Sequence, residues 1–130
     1  MEDIANNEYY ELSYEPEINR IHWKMKGFWK SMEVVPEFHA DWDKVQALAE
    51  DGSTILADLT ELKAMPGDVM QANMERQGKL IQSGCRKVGC AISSMSTIMT
   101  LKKVLQGSGM ESIVKLTETL DEARAFVDEE

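Results

Sequence analysis

The stretch Thr54-Ile55-Leu56-Ala57-Asp58-Leu59-Thr60-Glu61-Leu62-Lys63-Ala64-Met65-Pro66-Gly67-Asp68 decides how this chain is read. Residues 54–59 are an almost unbroken apolar run, the mark of a strand buried on both faces inside a parallel sheet. Pro66-Gly67-Asp68 ends the pattern, and Val69, Met70, Met74, Leu80 and Ile81 then recur at helical spacing until Gly84. A strand covered on both sides, followed at once by an amphipathic helix, belongs in a sheet with helices on both faces. Asp68 is the candidate N-cap of that helix, with Gln71 completing a capping box.

Upstream, Tyr10, Leu12 and Tyr14 alternate with Tyr9, Glu11 and Ser13 before Glu15-Pro16-Glu17 interrupts. Ile21, Trp23 and Met25 alternate with His22, Lys24 and Lys26, and Gly27 closes the run. This is the period of two strands with one face in a core and one in water, joined as a hairpin. From Ser31 the period changes: Val35, Phe38, Trp42, Val45 and Ala49 fall at helical steps, with Pro36 near the start and Asp51-Gly52 as the stop. Downstream, Val88, Cys90 and Ile92 form a buried strand in which Gly89 and Ala91 allow a helix to pack closely. Ile98, Leu101, Val104 and Leu105 make a third helical stripe, ended by Gly107-Ser108-Gly109. Ile113 to Leu116 is a short last strand, and Thr119 with Glu122 caps a final helix whose apolar face is Leu120, Ala123, Phe126 and Val127.

A hairpin followed by strand-helix alternation predicts an α/β fold: a mixed, mostly parallel sheet of four to five strands with right-handed crossovers, flanked by about four helices. Residues 1–130 form one domain on this reading, with an ordered core over about 9–127 and flexible acidic ends, the tail Asp128-Glu129-Glu130 included.

The formal charge of -9 argues against nucleic acid and anionic membrane surfaces as partners. No apolar run approaches the ~20 residues that span a bilayer, and Met1-Glu2-Asp3-Ile4 lacks the basic-then-apolar start of a secretory signal, so a cytoplasmic location is expected. Cys85 and Cys90 lack zinc-site spacing and read as reduced thiols, Cys90 buried and Cys85 at a strand edge.

No catalytic, metal or cofactor signature stands out. His22 lies on the polar parity of its strand and His39 follows Phe38 on a helix, and neither has the spacing of a base or ligand. Asp58 is the most interesting carboxylate, placed at the carboxyl end of a central strand where open parallel sheets gather ligands. It serves there as a general base or metal ligand, or it is tied to backbone N–H groups and the Thr60 hydroxyl. Gly107-Ser108-Gly109 ends a helix where a phosphate loop would begin one, and Ser93, Ser94, Ser96 and Thr97 read as caps of the third helix or as an anion site. Met65, Met70, Met74, Met95, Met99 and Met110 cluster after the third strand, where thioethers either fill a core or line an adaptable surface.

The element order, the strand-loop-helix from Ile55 to Met65 and the segment Asp121-Glu122-Ala123 together resemble the STAS domains typified by the anti-sigma-factor antagonist SpoIIAA, and the bacterial SpoIIAA-like proteins of STAS/SEC14 type. The resemblance spans about residues 9–127. Asp58-Leu59-Thr60 is similar to the Asp-Leu-Ser that ends the strand in regulatory members. Pro66-Gly67-Asp68-Val69 stands where they carry Asp-Ser-Ser-Gly, so the phosphorylated serine is missing and Asp68 supplies at most a constant negative charge. The resemblance implies a non-enzymatic regulatory module that binds a protein partner, with a homodimer as a further expectation. It also implies, as an alternative, a carrier or sensor with a SEC14-like pocket for a small apolar or lipid-like ligand. An enzyme centred on Asp58 is the third reading. The partner surface is expected at Asp58, Thr60, Met65, Pro66, Gly67, Asp68 and Met70, within the stretch from Lys63 to Met74 and its supporting strand.

Overall fold

The computed structural model describes residues 1–129 as a single six-stranded sheet in the order β1 (Glu2–Asn6), β2 (Tyr10–Glu15), β3 (Arg20–Phe28), β4 (Thr54–Ala64), β5 (Lys87–Ala91) and β6 (Val114–Thr117). β1, β2 and β3 pair antiparallel, and β3 to β6 pair parallel. The crossovers are α1 (Phe38–Leu48), α2 (Gly67–Gln82) and α3 (Met95–Leu105), and α4 (Leu120–Asp128) follows the last strand. Strands added one after another in one direction through right-handed crossovers place every crossover helix on the same face. That face buries Ile55, Ala57 and Leu59 of β4, whereas Leu56 meets Ala91, Ala123 and Val127 under α4. Helices therefore cover both faces of the central strand, three on one side and one on the other.

The sheet has more strands than the four to five expected, and its amino end is part of it. Glu2, Asp3, Ala5 and Asn6 pair with β2 through a bulge between Asp3 and Ala5, and Ile4 and Ala5 pack on the core. Pairing with the free edge of β2 outweighs the local polarity that made this segment look loose. The carboxyl end is also tied down. Arg20 meets Asp128 at 2.8 Å, Arg86 Nη1 donates to Glu129 O at 2.9 Å, and Lys87 Nζ donates to Phe126 O at 3.2 Å. These cations satisfy the last carbonyls of α4 and oppose its dipole. Glu130 lies outside the described residues.

Three local readings are corrected. Val35 is not helical: Met32–Val34 forms a 3-10 turn capped by Ser31, and α1 starts only at Phe38. Pro36 disfavours the helical region for the residue before it, and Val35 sits at φ -128 and ψ 66. Asp68 is not the N-cap of α2, which Pro66 provides; its carboxylate instead accepts the Met32 N–H at 2.8 Å and ties the 3-10 turn to the first turn of α2. Val104 is exposed, while Ile98, Leu101 and Leu105 carry the buried face of α3.

The main core is aromatic. Tyr10, Trp23, Trp29, Phe38 and Trp42 are all buried and meet mostly edge to face, with the Trp23 ring 5.0 Å from Trp42 and 5.7 Å from Phe38. Tyr10 Oη donates to buried Asp41 Oδ2 at 2.5 Å, and burial together with that carboxylate pushes the Tyr10 hydroxyl well above its ordinary pKa. Between α1 and α2, buried Arg76 reaches Asp43 at 2.7 Å and holds that carboxyl below its ordinary 3.8. A depressed carboxyl contributes above its unfolded pKa and loses the contribution as the pH falls through its folded value. Wild type is therefore expected to exceed Asp43→Asn in stability at neutral pH, and urea titrations should show that difference shrinking as the pH falls below the ordinary carboxylate range and through the lowered pKa of folded Asp43.

Candidate functional site

The carboxyl end of the central strands is where sequence reasoning placed the site, and the structure divides its residues among three locations. β4 does not stop at Asp58. It continues to Ala64 because β3 runs on beside it, pairing Lys26 with Glu61, Gly27 with Leu62 and Phe28 with Ala64. Asp58 is instead the last β4 residue paired with β5, opposite Ala91.

Its carboxylate is engaged locally. Asp58 Oδ1 accepts from Thr60 N at 3.0 Å and from Thr60 Oγ1 at 2.6 Å, a local contact within β4 on the α4 side of the sheet. Asp58 and Lys24 are directly opposite, as are Lys24 and Glu11, which makes a row of alternating charge across three strands. The hydrogen bond from Lys24 to Glu61 at 2.6 Å raises the Lys24 pKa, with Glu11 and Asp58 adding to it. Ser13 and His22 form the next row, and Leu120 and Arg124 of α4 wall an open cleft of about 200 Å³. His22 Nε2 is paired with Glu15 Oε1 at 2.8 Å. The histidine thus makes its contact with a neighbouring strand carboxylate, away from the Ser13 hydroxyl and Asp58. Among the described residues no three His, Cys, Asp or Glu side chains converge as metal ligands.

On the opposite face, Met65, Met70 and Met74 are half-buried and turn inward, lining an apolar crevice with Leu59 and Leu101 between α2 and α3. It is narrow, with a volume of about 30 Å³. Cys90 borders this crevice, and burial pushes its thiol up to about 12. Pro66 is half-buried, and only Gly67 and Asp68 stand out into solvent.

Three residues that sequence reasoning did not place in the site complete this end of the molecule. Phe28 is 53% exposed and pairs with Ala64. Met95 and Met99 are 56% and 59% exposed, one turn apart on α3. Ser93 Oγ donates to Thr60 O at 3.2 Å and draws the start of α3 to the end of β4, while Ser94 caps α3 by accepting from Thr97 N. The signal for the two methionines was their spacing: they lie off the stripe of Ile98, Leu101 and Leu105 and so cannot share its burial. Among the described residues no helix is long and apolar enough to cross a membrane.

No family model matches the chain, and no curated protein matches it. Among solved structures the chain is similar to an anti-sigma factor antagonist from Mycobacterium paratuberculosis, with a TM-score of 0.63 and 16% identity over 96% of this chain and 99% of that one. The likeness covers nearly all of both chains and establishes the SpoIIAA-like, or STAS, fold.

Proposed function

We propose that this chain is a non-enzymatic STAS-like regulatory module that acts by binding another protein. The observation that carries the reading is the likeness to an anti-sigma factor antagonist over nearly the full length of both chains. The geometry agrees with it. Asp58 Oδ1 is bonded to Thr60 and His22 Nε2 to Glu15, so each of the two side chains is held by a neighbour within the sheet rather than by the other. The partner surface is the carboxyl end of the sheet, where Gly67 and Asp68 are exposed beside the apolar Phe28, Met95 and Met99. Exposed thioethers and an aromatic ring supply adaptable contact area there. The start of α2 offers no hydroxyl for phosphorylation, and Asp68 gives it a fixed negative charge, so binding would not be switched at that position.

Asp68→Lys and Met99→Glu test this surface, since both positions are exposed and neither supports the core. Folding is checked by circular dichroism, because Asp68→Lys also removes the bond to Met32 N. Proteins co-purifying with wild type from the native cells are expected to fall at least about tenfold with either variant, as for a central interface residue. Equal recovery with both folded variants would refute the assignment.

A further inference from the structure

The two edges of the sheet differ, and the β6 edge carries unpaired main-chain groups. In the β5–β6 ladder Val88 N donates to Ile113 O and Ile92 N to Thr117 O, both at 2.9 Å. Residues 113, 115 and 117 therefore aim their main chain at β5, and Val114 and Leu116 aim theirs away from the sheet. The Val114 N–H is used by Met110 O at 2.9 Å. That leaves the Val114 C=O and the Leu116 N–H and C=O facing outward, and among the described residues no strand lies beyond β6.

Beside these groups lies an open cleft of about 370 Å³ between the end of α3 and β6. Leu105, Val114 and Leu116 form its apolar floor, and Lys102 and Lys115 stand at its rim. Glu111 also lines it, on the α3 side, with one carboxylate oxygen accepting the Gly107 N–H. Among the described residues neither lysine makes an ion pair, on a chain whose net charge is -9. The two approach from opposite faces: Lys102 lies on α3, and Lys115 lies on the α4 side, with its Nζ 5.7 Å from the Phe126 ring.

We propose that β6 takes up an extended segment of another protein, of alternating aliphatic and acidic residues, as an additional strand. Main-chain pairing to Val114 and Leu116 would supply register-independent affinity, and the side chains would supply selection. Because successive side chains of a strand point to opposite faces, the aliphatic residues fall over Leu105 and Leu116 while the acidic ones meet Lys115. Lys102 adds positive charge at the mouth of the cleft. The β1 edge rejects the same segment: Glu2 and Asp3 repel it, and the bulge between Asp3 and Ala5 breaks the regular ladder. This surface is separate from the one at the start of α2, and its test does not depend on that reading.

The probe is a synthetic heptapeptide, Asp-Val-Glu-Val-Asp-Val-Glu, titrated into the ¹⁵N-labelled full chain at low salt. The expected result is perturbation confined to β6 and the end of α3, with exchange of the Leu116 amide slowed about tenfold or more as it enters a ladder. Lys115→Glu, at an exposed position, should abolish binding while leaving the spectrum otherwise native. A peptide N-methylated at alternate residues should also fail. The proposal is overturned if the Leu116 amide does not respond at about millimolar peptide. It is equally overturned if the N-methylated peptide binds as well, if folded Lys115→Glu binds as tightly, or if protection in the free protein rises with its concentration. The last result would show a second copy's β1 on this edge.

Discussion

Trp23→Ala is expected to lower the stability of this protein by about 3–5 kcal/mol, a large share of the roughly 5–15 kcal/mol that holds a domain folded. Trp23 is 1% exposed and central to the aromatic core, with Tyr10, Phe38 and Trp42 rings within 5.7 Å. Truncation opens a cavity whose walls are themselves rigid rings and cannot collapse into it. It also takes away the indole N–H that donates to Asn73 Oδ1 at 3.2 Å, leaving a buried amide oxygen unpaired on α2. Phe28→Ala is the matched control, since that ring is 53% exposed, and such a change is typically within about 0.5 kcal/mol. Urea midpoints measure both. A wild-type-like midpoint for Trp23→Ala would remove the aromatic core from this account.

The importance of Trp23 was legible because strand parity needs no long-range information: Ile21, Trp23 and Met25 declare one buried face by themselves. The same holds for the Thr119–Glu122 cap of α4, which is entirely local and forms as expected. The features that sequence reasoning missed are those settled by partners far along the chain. β1 has only Ile4 and Ala5 to recommend it and exists because β2 offers a free edge. Asp68 looked like a cap until the turn at Met32 competed for its carboxylate. Residues 60–64 are strand where a loop is expected: Leu62 and Ala64 alternate with Glu61 and Lys63, the pattern of a strand outrunning its β5 neighbour and pairing on one side only. The candidate site suffered most. Helical spacing shows that Met70 and Met74 share a face, but only the packing of α3 decides that this face lines a narrow apolar crevice and that Met95 and Met99 are left outside it.

Gly89→Ala should cost about 1–3 kcal/mol and act on α4 before the rest of the molecule. Gly89 lies on the α4 side of β5, in the row that joins Leu56 to Lys115. A Cβ placed on it would stand 2.5 Å from the Ala123 carbonyl oxygen and 3.1 Å from Val127 Cγ1. The oxygen belongs to helix backbone and cannot swing aside, so α4 must move as a body. Such a displacement strains the contacts that fasten its end: Arg20 to Val127 O at 3.2 Å, Lys87 to Phe126 O at 3.2 Å and Arg86 to Glu129 O at 2.9 Å. The core on the other face, built by α1, α2 and the aromatic cluster, is a separate cluster and should stay packed. Hydrogen exchange separates the two regions. Amides of α4 are expected to lose protection relative to those of β3 and β4, as in a local opening rather than a global one. Uniform loss across the sheet, or no loss at all, would show that the close approach of α4 to Gly89 is not what holds the last helix in place.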